Sequence, residues 1–279
     1  MPSFTIDLEK CDKDGICMKA CPTNVIQLDA REKHPVPTPE YESYCLNCGH
    51  CVAVCPTGAF QMERLGHKEW PPVRKDLVIT AEQAEQFIRS RRSIRNFKRR
   101  PVERHKLEKL IEMACYAPSA KNNQPWHWTV VEDPADVRRY AKMVIDWMRT
   151  VMEQFPEQAE IRGLPRVVNA WDDGQERICR GAPHIVVVHG DKTYGFGAED
   201  SALALSYFEL FAPTIGLGSC WGGYFYSAVN AHPPLFEALG LPAQHRAFGA
   251  VMVGYPRLRY QRLPLRNPPK VSWLTTSRS

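Results

Sequence analysis

An α+β protein of two domains is the architecture this sequence predicts, and three features predict it. Seven of its ten cysteines crowd into residues 11–55. That segment repeats itself at a constant spacing, the mark of a small duplicated module. Beyond it, amphipathic helical stretches alternate with a few short apolar runs of strand length, the pattern of a sheet covered by helices. A chain of 279 residues suffices for about two domains at roughly 150 residues each. The reading places a small domain at 1–65, a linker at 66–84 and a larger domain at 85–279.

Composition removes several classes. With 44% apolar and 24% charged residues the chain is an ordinary globular protein, and its 23 prolines are scattered. No apolar run approaches the roughly 18 residues that cross a bilayer, so no membrane partner is expected. Asp7 and Glu9 interrupt the stretch that a secretory leader would keep apolar, so a cytoplasmic location is expected. In that reducing setting a dense cysteine pattern binds metal or does redox work rather than forming disulfides.

The duplication pairs residues 34 apart (45 minus 11): Cys11 with Cys45, Gly15 with Gly49, Cys17 with Cys51, and Cys21-Pro22-Thr23 with Cys55-Pro56-Thr57. One ligand position breaks the rule, because Asp14 falls where Cys48 sits. Cys45-x2-Cys48-x2-Cys51-x3-Cys55-Pro56 has the spacing in which three thiolates hold one iron–sulfur cubane and the fourth reaches across to a second. Structural zinc also uses C-x2-C pairs but joins separated ones, so the duplicated run argues against zinc. Over residues 1–65 the chain resembles a bacterial-type dicluster ferredoxin. That resemblance implies two βαβ-like halves around two [4Fe–4S] clusters, one held by Cys11, Asp14, Cys17 and Cys55 and the other by Cys45, Cys48, Cys51 and Cys21. A carboxylate is a harder, weaker iron ligand than a thiolate, so the fourth iron of the first cluster is either Asp14-bound or lost, leaving [3Fe–4S]. Gly15 and Gly49 let backbone amides approach cluster sulfur. His50 reads as a surface histidine.

After Trp70-Pro71-Pro72, Thr80 and Gln83 form a capping box that opens the larger domain. Leu107, Leu110, Ile111 and Ala114 place a helix over 102–115. Residues 128–132, 185–189 and 248–253 read as strands. Residues 200–212 form a helix apolar on nearly every side, hence buried or in a subunit interface, and Pro213 ends it. The long charged stretch 133–180 reads as irregular: an inserted helix, an active-site lid or a solvated excursion.

Residues 89–104 carry eight basic residues and one acid. They lack the run of interleaved aromatics that single-strand binders use, so nucleic acid is not an expected partner. Arg91, Ser93 and Arg95 are two apart, so in an extended segment they project to one side and can converge on one phosphate. Together with three later motifs, this segment is similar to the FMN-dependent nitroreductase family. Arg91-Arg92-Ser93-Ile94-Arg95 resembles that family's phosphate-binding stretch. Pro118, Ser119, Ala120 and Asn122 lie in a run resembling its loop that reaches the partner subunit's flavin. Cys220-Trp221-Gly222-Gly223 resembles its loop beside the isoalloxazine ring, and Gly254-Tyr255-Pro256 precedes a tail whose Arg262 and Arg266 are implied phosphate partners. The glycine pair removes side chains where a flat ring must approach backbone amides. Gly216-x-Gly218-x3-Gly222 has one residue too many for a dinucleotide fingerprint and follows a helix. Cys220 reads as a wall residue rather than a reactive thiol. His184 and His189, five apart on one strand, point to opposite faces and form no metal pair. Trp126, Trp147, Trp171 and Tyr194 read as core.

The resemblance implies a ferredoxin-like dicluster domain followed by an α+β domain with a central mixed sheet flanked by helices, dimeric, with FMN and two iron–sulfur clusters. Electrons would come from ferredoxin or NAD(P)H and pass to an electron-poor organic acceptor such as a nitroaromatic or quinone. The alternatives are an electron-transfer subunit of a larger complex and an enone reductase or reductive dehalogenase on the same fold. No catalytic residue is nominated. The formal charge of +5 is offset by the thiolates and flavin phosphate of the loaded protein, so it signals no polyanionic partner.

Overall fold

The computed structural model describes residues 4–65 and 70–274; the first positions of the expected linker, 66–69, and the end of the expected second domain, 275–279, lie outside the described residues. The chain divides into two compact units, one made of Met1–Val78 with Pro118–Gln124, the other of Ile79–Ala117 with Pro125–Ser279. Among the described residues no helix is long and apolar enough to cross a membrane.

The first unit runs β1 (Thr5–Ile6), α1 (Ile16–Ala20), β2 (Ile26–Leu28), β3 (Pro35–Pro37), α2 (Tyr41–Tyr44), α3 (His50–Val54) and β4 (Phe60–Gln61). Two βαβ halves result, but their strands pair across the halves, β1 with β4 and β2 with β3, both antiparallel. The duplication is written into the backbone. Helices α1 and α3 begin and end 34 residues apart (50 minus 16, 54 minus 20). Left-handed residues recur at the same shift: Lys13 and Asn47 (φ 61° and 50°), Gly15 and Gly49 (68° and 72°), Asn24 and Gly58 (54° and 67°). Helices of five residues cannot persist alone. Here Phe4, Val25, Ile26, Tyr41, Val52, Phe60 and Met62 form the core that holds them, with the Phe4 and Phe60 ring centres 4.5 Å apart and the rings tilted.

The second unit opens with α4 (Ala81–Ser90), whose capping box has Thr80 Oγ1 accepting from Gln83 N–H at 3.2 Å and Gln83 Oε1 from Thr80 N–H at 2.8 Å. There follow α5 (Arg104–Ala114), β5 (His127–Val131), α6 (Pro134–Gln154), α7 (Pro156–Ile161), α8 (Leu164–Asp172), β6 (His184–Asp191), α9 (Gly197–Phe211), β7 (Gly218–Trp221), α10 (Gly223–Ala231), α11 (Pro233–Ala238) and β8 (His245–Gly254). The sheet order is β5-β6-β8-β7 with antiparallel neighbours, and a parallel bridge from Ser93 to Ser219 makes its edge mixed. Strand β6 is covered on both faces, as its unbroken apolar run requires. Ile185 and Val187 enter a core with Val144, Met148 and Phe225, while Val186 and Val188 enter the opposite core with Leu110, Leu205 and Phe208.

Two expectations need correcting. The stretch 133–180 is not irregular and takes the inserted-helix alternative: α6, α7 and α8 fill most of it, and Val137, Tyr140, Ala141, Val144, Ile145, Trp147 and Met148 form a buried stripe at helical spacing. Abundant charge on the opposite face hid that period. Residues 218–221, read as loop, form the strand β7; Gly218 is required there because a Cβ would stand 2.4 Å from Ile94 Cγ1. Helix α9 buries Ala204, Leu205 and Phe208 but leaves Leu203 and Tyr207 about half exposed.

Candidate functional site

In the first unit the cysteines gather into the two sets read from the sequence. Cys21, Cys45, Cys48 and Cys51 line one cavity, and Cys11, Asp14, Cys17 and Cys55 line another, each enclosing about 310 Å³ counted to its open rim. The eight residues therefore line two separate spaces, four to each. Among the described residues no disulfide joins any of the cysteines. Asp14 keeps one carboxylate oxygen on the Ile16 N–H at 3.0 Å. The duplication extends to the sulfur contacts: Cys21 Sγ lies 3.7 Å from Thr23 Oγ1 and Cys55 Sγ 3.6 Å from Thr57 Oγ1. Burial raises the Cys17 thiol and pushes Cys51 up to about 12. Burial also acts on Cys55, but the Thr57 hydroxyl and the amides of Phe60, Ala59 and Thr57 outweigh it and hold that thiol below its ordinary value. Buried thiols arranged this way ionise only against a cation. Four soft donors at one cavity, and three with a carboxylate at the other, fit iron–sulfur cubanes.

In the second unit the arginine segment runs beside β7. Ile94 N–H donates to Ser219 carbonyl at 2.9 Å and Ser93 bridges Ser219, which sets the direction of the side chains on either side. Arg91 Nη1 lies 3.7 Å from Glu209 Oε1, and burial pushes that glutamate's carboxyl up despite the arginine. The Arg92 guanidinium sits 5.4 Å from the centre of the Tyr260 ring. Arg95 joins Cys220, Trp221, Gly222 and Gly223 around a solvent-open cavity of about 960 Å³. Burial raises the Cys220 thiol, which suits a wall rather than a nucleophile.

The glycine pair divides its work. Gly222 donates its amide to Ala250 carbonyl at 2.8 Å, so it is not a donor to the cavity. The free donors are the first-turn amides of α10, which begins at Gly223. A Cβ on Gly223 would meet nothing within 4 Å, and its φ is not positive. The protein's own packing therefore does not demand glycine there; a flat ring laid against the backbone would. That open shelf is the feature that fits FMN.

Other candidates lie elsewhere. Pro118, Ser119, Ala120 and Asn122 group with the first unit, where Asn122 Nδ2 donates to the carbonyls of Leu46 (3.2 Å) and Asn47 (3.1 Å), between Cys45 and Cys48. Ser119 Oγ accepts from Gln124 N–H at 2.9 Å. Arg262 and Arg266 are exposed, and the tail meets the arginine segment through Tyr260 instead. Trp126 and Trp147 are buried core, and Tyr194 donates to Asp200. His184 is buried and accepts from Val102 N–H at 2.8 Å.

Sequence reasoning missed a cluster of three imidazoles. His127 on β5 stands directly opposite His189 on β6, and His245 opens β8. His189 Nδ1 lies 2.9 Å from His245 Nδ1 and His189 Nε2 3.1 Å from Thr129 Oγ1. Burial, then the neighbouring His245 and His127, bring His189 down to about 4. Only strand register could have revealed this group, because its members are more than 50 residues apart in sequence.

Two family profiles match the chain: the nitroreductase family over residues 88–255 and a 4Fe-4S dicluster domain over residues 10–59. A putative NADH dehydrogenase/NAD(P)H nitroreductase of Archaeoglobus fulgidus is 29% identical over 181 residues, 63% of this chain and 87% of that protein. The iodotyrosine deiodinase of Danio rerio is 24% identical over 213 residues, 70% of this chain and 68% of that protein. Among solved structures, a nitroreductase with bound FMN from Bacteroides fragilis matches with a TM-score of 0.55 at 23% identity, covering 71% of this chain and 99% of that one. One from Desulfitobacterium hafniense gives 0.56 at 22% identity, covering 71% and 100%. Both likenesses are of fold.

Proposed function

The chain belongs to the nitroreductase family and carries a 4Fe-4S dicluster domain toward its amino-terminal end, and from that premise we propose an iron–sulfur flavoprotein oxidoreductase. It draws electrons from a low-potential donor, ferredoxin or NAD(P)H, and delivers them to an electron-poor organic acceptor such as a nitroaromatic or quinone. When bound, the clusters supply single-electron carriers and FMN supplies a centre that takes electrons singly and releases them in pairs.

In this reading Cys21, Cys45, Cys48 and Cys51 hold one cluster, and Cys11, Asp14, Cys17 and Cys55 the other, with Asp14 a ligand in the reduced protein. Arg91, Arg92, Ser93 and Arg95 hold the phosphate side of FMN, while Cys220, Trp221, Gly222 and Gly223 wall the ring. Arg262 and Arg266 add charge from the tail, and Pro118, Ser119, Ala120 and Asn122 complete a flavin site in a homodimer. The half-exposed Leu203 and Tyr207 of α9 supply apolar surface for that dimer. The chain's own work is to stack the acceptor, exclude water and hold FMN still, so no side chain is assigned as acid or base.

The observation that carries this reading is the open Gly223 shelf beside Arg95. Anaerobic purification tests it: the holoprotein is expected to show brown cluster absorbance with a flavin shoulder and, reduced by dithionite, to convert a neutral nitroarene. Colourless protein, or stoichiometric zinc, overturns it. The deiodinase relatives favour a second reading, reductive loss of halide, which iodide release from an iodoarene in the same assay would detect.

A further inference from the structure

The cavity beside the glycine shelf is cationic beyond Arg95 alone. Arg177 and Arg180 line it together with Arg162, and the same Arg177 and Arg180 line an adjoining cavity of about 1020 Å³ with Arg166. Tyr224, in the first turn of α10, borders both and donates its hydroxyl to the Arg162 carbonyl at 3.3 Å, tying the turn between α7 and α8 to the shelf. Among the described residues none of these four guanidiniums is ion-paired with a carboxylate. Arg162 lies over the Trp147 ring at 5.3 Å, and Arg177 donates to the Gln175 amide oxygen at 2.7 Å. Glu176, the acid nearest in sequence, is spent on backbone: its carboxylate accepts from Cys179 N–H at 2.6 Å and Gly181 N–H at 2.7 Å. That turn holds Arg180 in the left-handed region (φ 56°), a conformation a non-glycine residue adopts at a cost.

Arg177 and Arg180 are half-buried and Arg162 and Arg166 exposed, and like charges gathered this way without counter-charge favour an anion that completes them. We propose that the acceptor reduced over the shelf is an anionic compound carrying about two negative charges, on two carboxylates or on one phosphate group, seated by Arg162, Arg166, Arg177 and Arg180. This rests on the flavin reading above and narrows its substrate class. Guanidinium forks match both oxyanions, so the two sources share one chemistry.

The test uses the FMN-loaded holoprotein, reduced by dithionite so that no nicotinamide enters. Three nitroarenes are compared: neutral 5-nitroisophthalamide, the dianion 5-nitroisophthalate and the phosphate ester 4-nitrophenyl phosphate. In each, the nitro group takes two electrons from dithionite through the protein and two protons from water, and loses one oxygen as water. The expected result is a KM for at least one anion about tenfold or more below that of the amide, lost on adding salt. Arg177→Gln and Arg166→Gln should each raise that KM about tenfold while leaving the amide within about twofold. The dicarboxylate and phosphate arms identify which oxyanion is preferred. Equal KM values for all three compounds, equal losses for anion and amide in the variants, or loss of FMN from the variants overturns the proposal; the last would assign these arginines to the flavin instead. If the flavin is bound but no nitroarene turns over, the acceptor class fails separately, and calorimetry with isophthalate decides the arginine site: binding abolished in Arg177→Gln upholds it, and no binding to the unmodified protein overturns it.

Discussion

The imidazole cluster on the sheet gives a pH dependence that can be worked out from the structure. His189 is 5% exposed and its titration is brought down to about 4, against 6.5 for a free imidazole. The folded protein therefore binds fewer protons than the unfolded chain between those values, so stability is full above pH 6.5 and is lost as pH falls toward 4. Linkage puts the difference between pH 7 and pH 5 at about 2 kcal/mol and the full loss below pH 4 at about 3 kcal/mol. In a domain of this size about 2 kcal/mol moves Tm by roughly 4–8 °C. The perturbation is His189→Phe, which keeps an aromatic ring but cannot titrate. Losing the contact to Thr129 lowers its Tm at every pH, and that constant offset cancels in the comparison. Melting followed by tryptophan fluorescence at pH 7 and pH 5 should show wild type losing roughly 4–8 °C more than the variant on acidification. Equal acid losses in both proteins would refute the assignment.

Three further outcomes are expected. Arg91→Ala with Arg95→Ala should release FMN, measured as flavin in the filtrate, while iron per chain stays unchanged; full retention of FMN would remove these arginines from the phosphate site. Asp14→Ala should lower iron after anaerobic reductive reconstitution from about eight to about seven per chain; an unchanged count would mean that Asp14 binds no iron. Gly218→Ala places a methyl 2.4 Å from the present position of Ile94 Cγ1. It should cost about 1–3 kcal/mol and weaken FMN binding as the arginine segment shifts, as a melt and a flavin titration would detect.

Much of the iron–sulfur half was readable because cysteine spacing is itself a geometric code: the crossing of Cys21 and Cys55 into opposite sets was implied by the resemblance of the run to a dicluster ferredoxin, and the duplication extended it to both halves. In the larger half, the capping box at Thr80 and the apolar cores of β6 and β8 were equally legible, since local chemistry and burial agree there. Helix α6 was not, because charged residues on its outer face masked a regular buried stripe. Strand β7 was missed because glycine and serine, chosen for close approach to Ile94, carry no strand signal. The grouping of Asn122 with the cysteine loop and the meeting of three histidines depend on long-range register, which no local pattern encodes.

The repeated φ values at 13/47, 15/49 and 24/58 have a practical consequence. Under the proposed ligation each half serves as the other's internal control, with backbone shape matched at these positions and the donor atom changed from oxygen at 14 to sulfur at 48. A swap of those two residues, Asp14→Cys with Cys48→Asp, would show whether spectroscopic asymmetry follows the donor or stays with the surrounding wall.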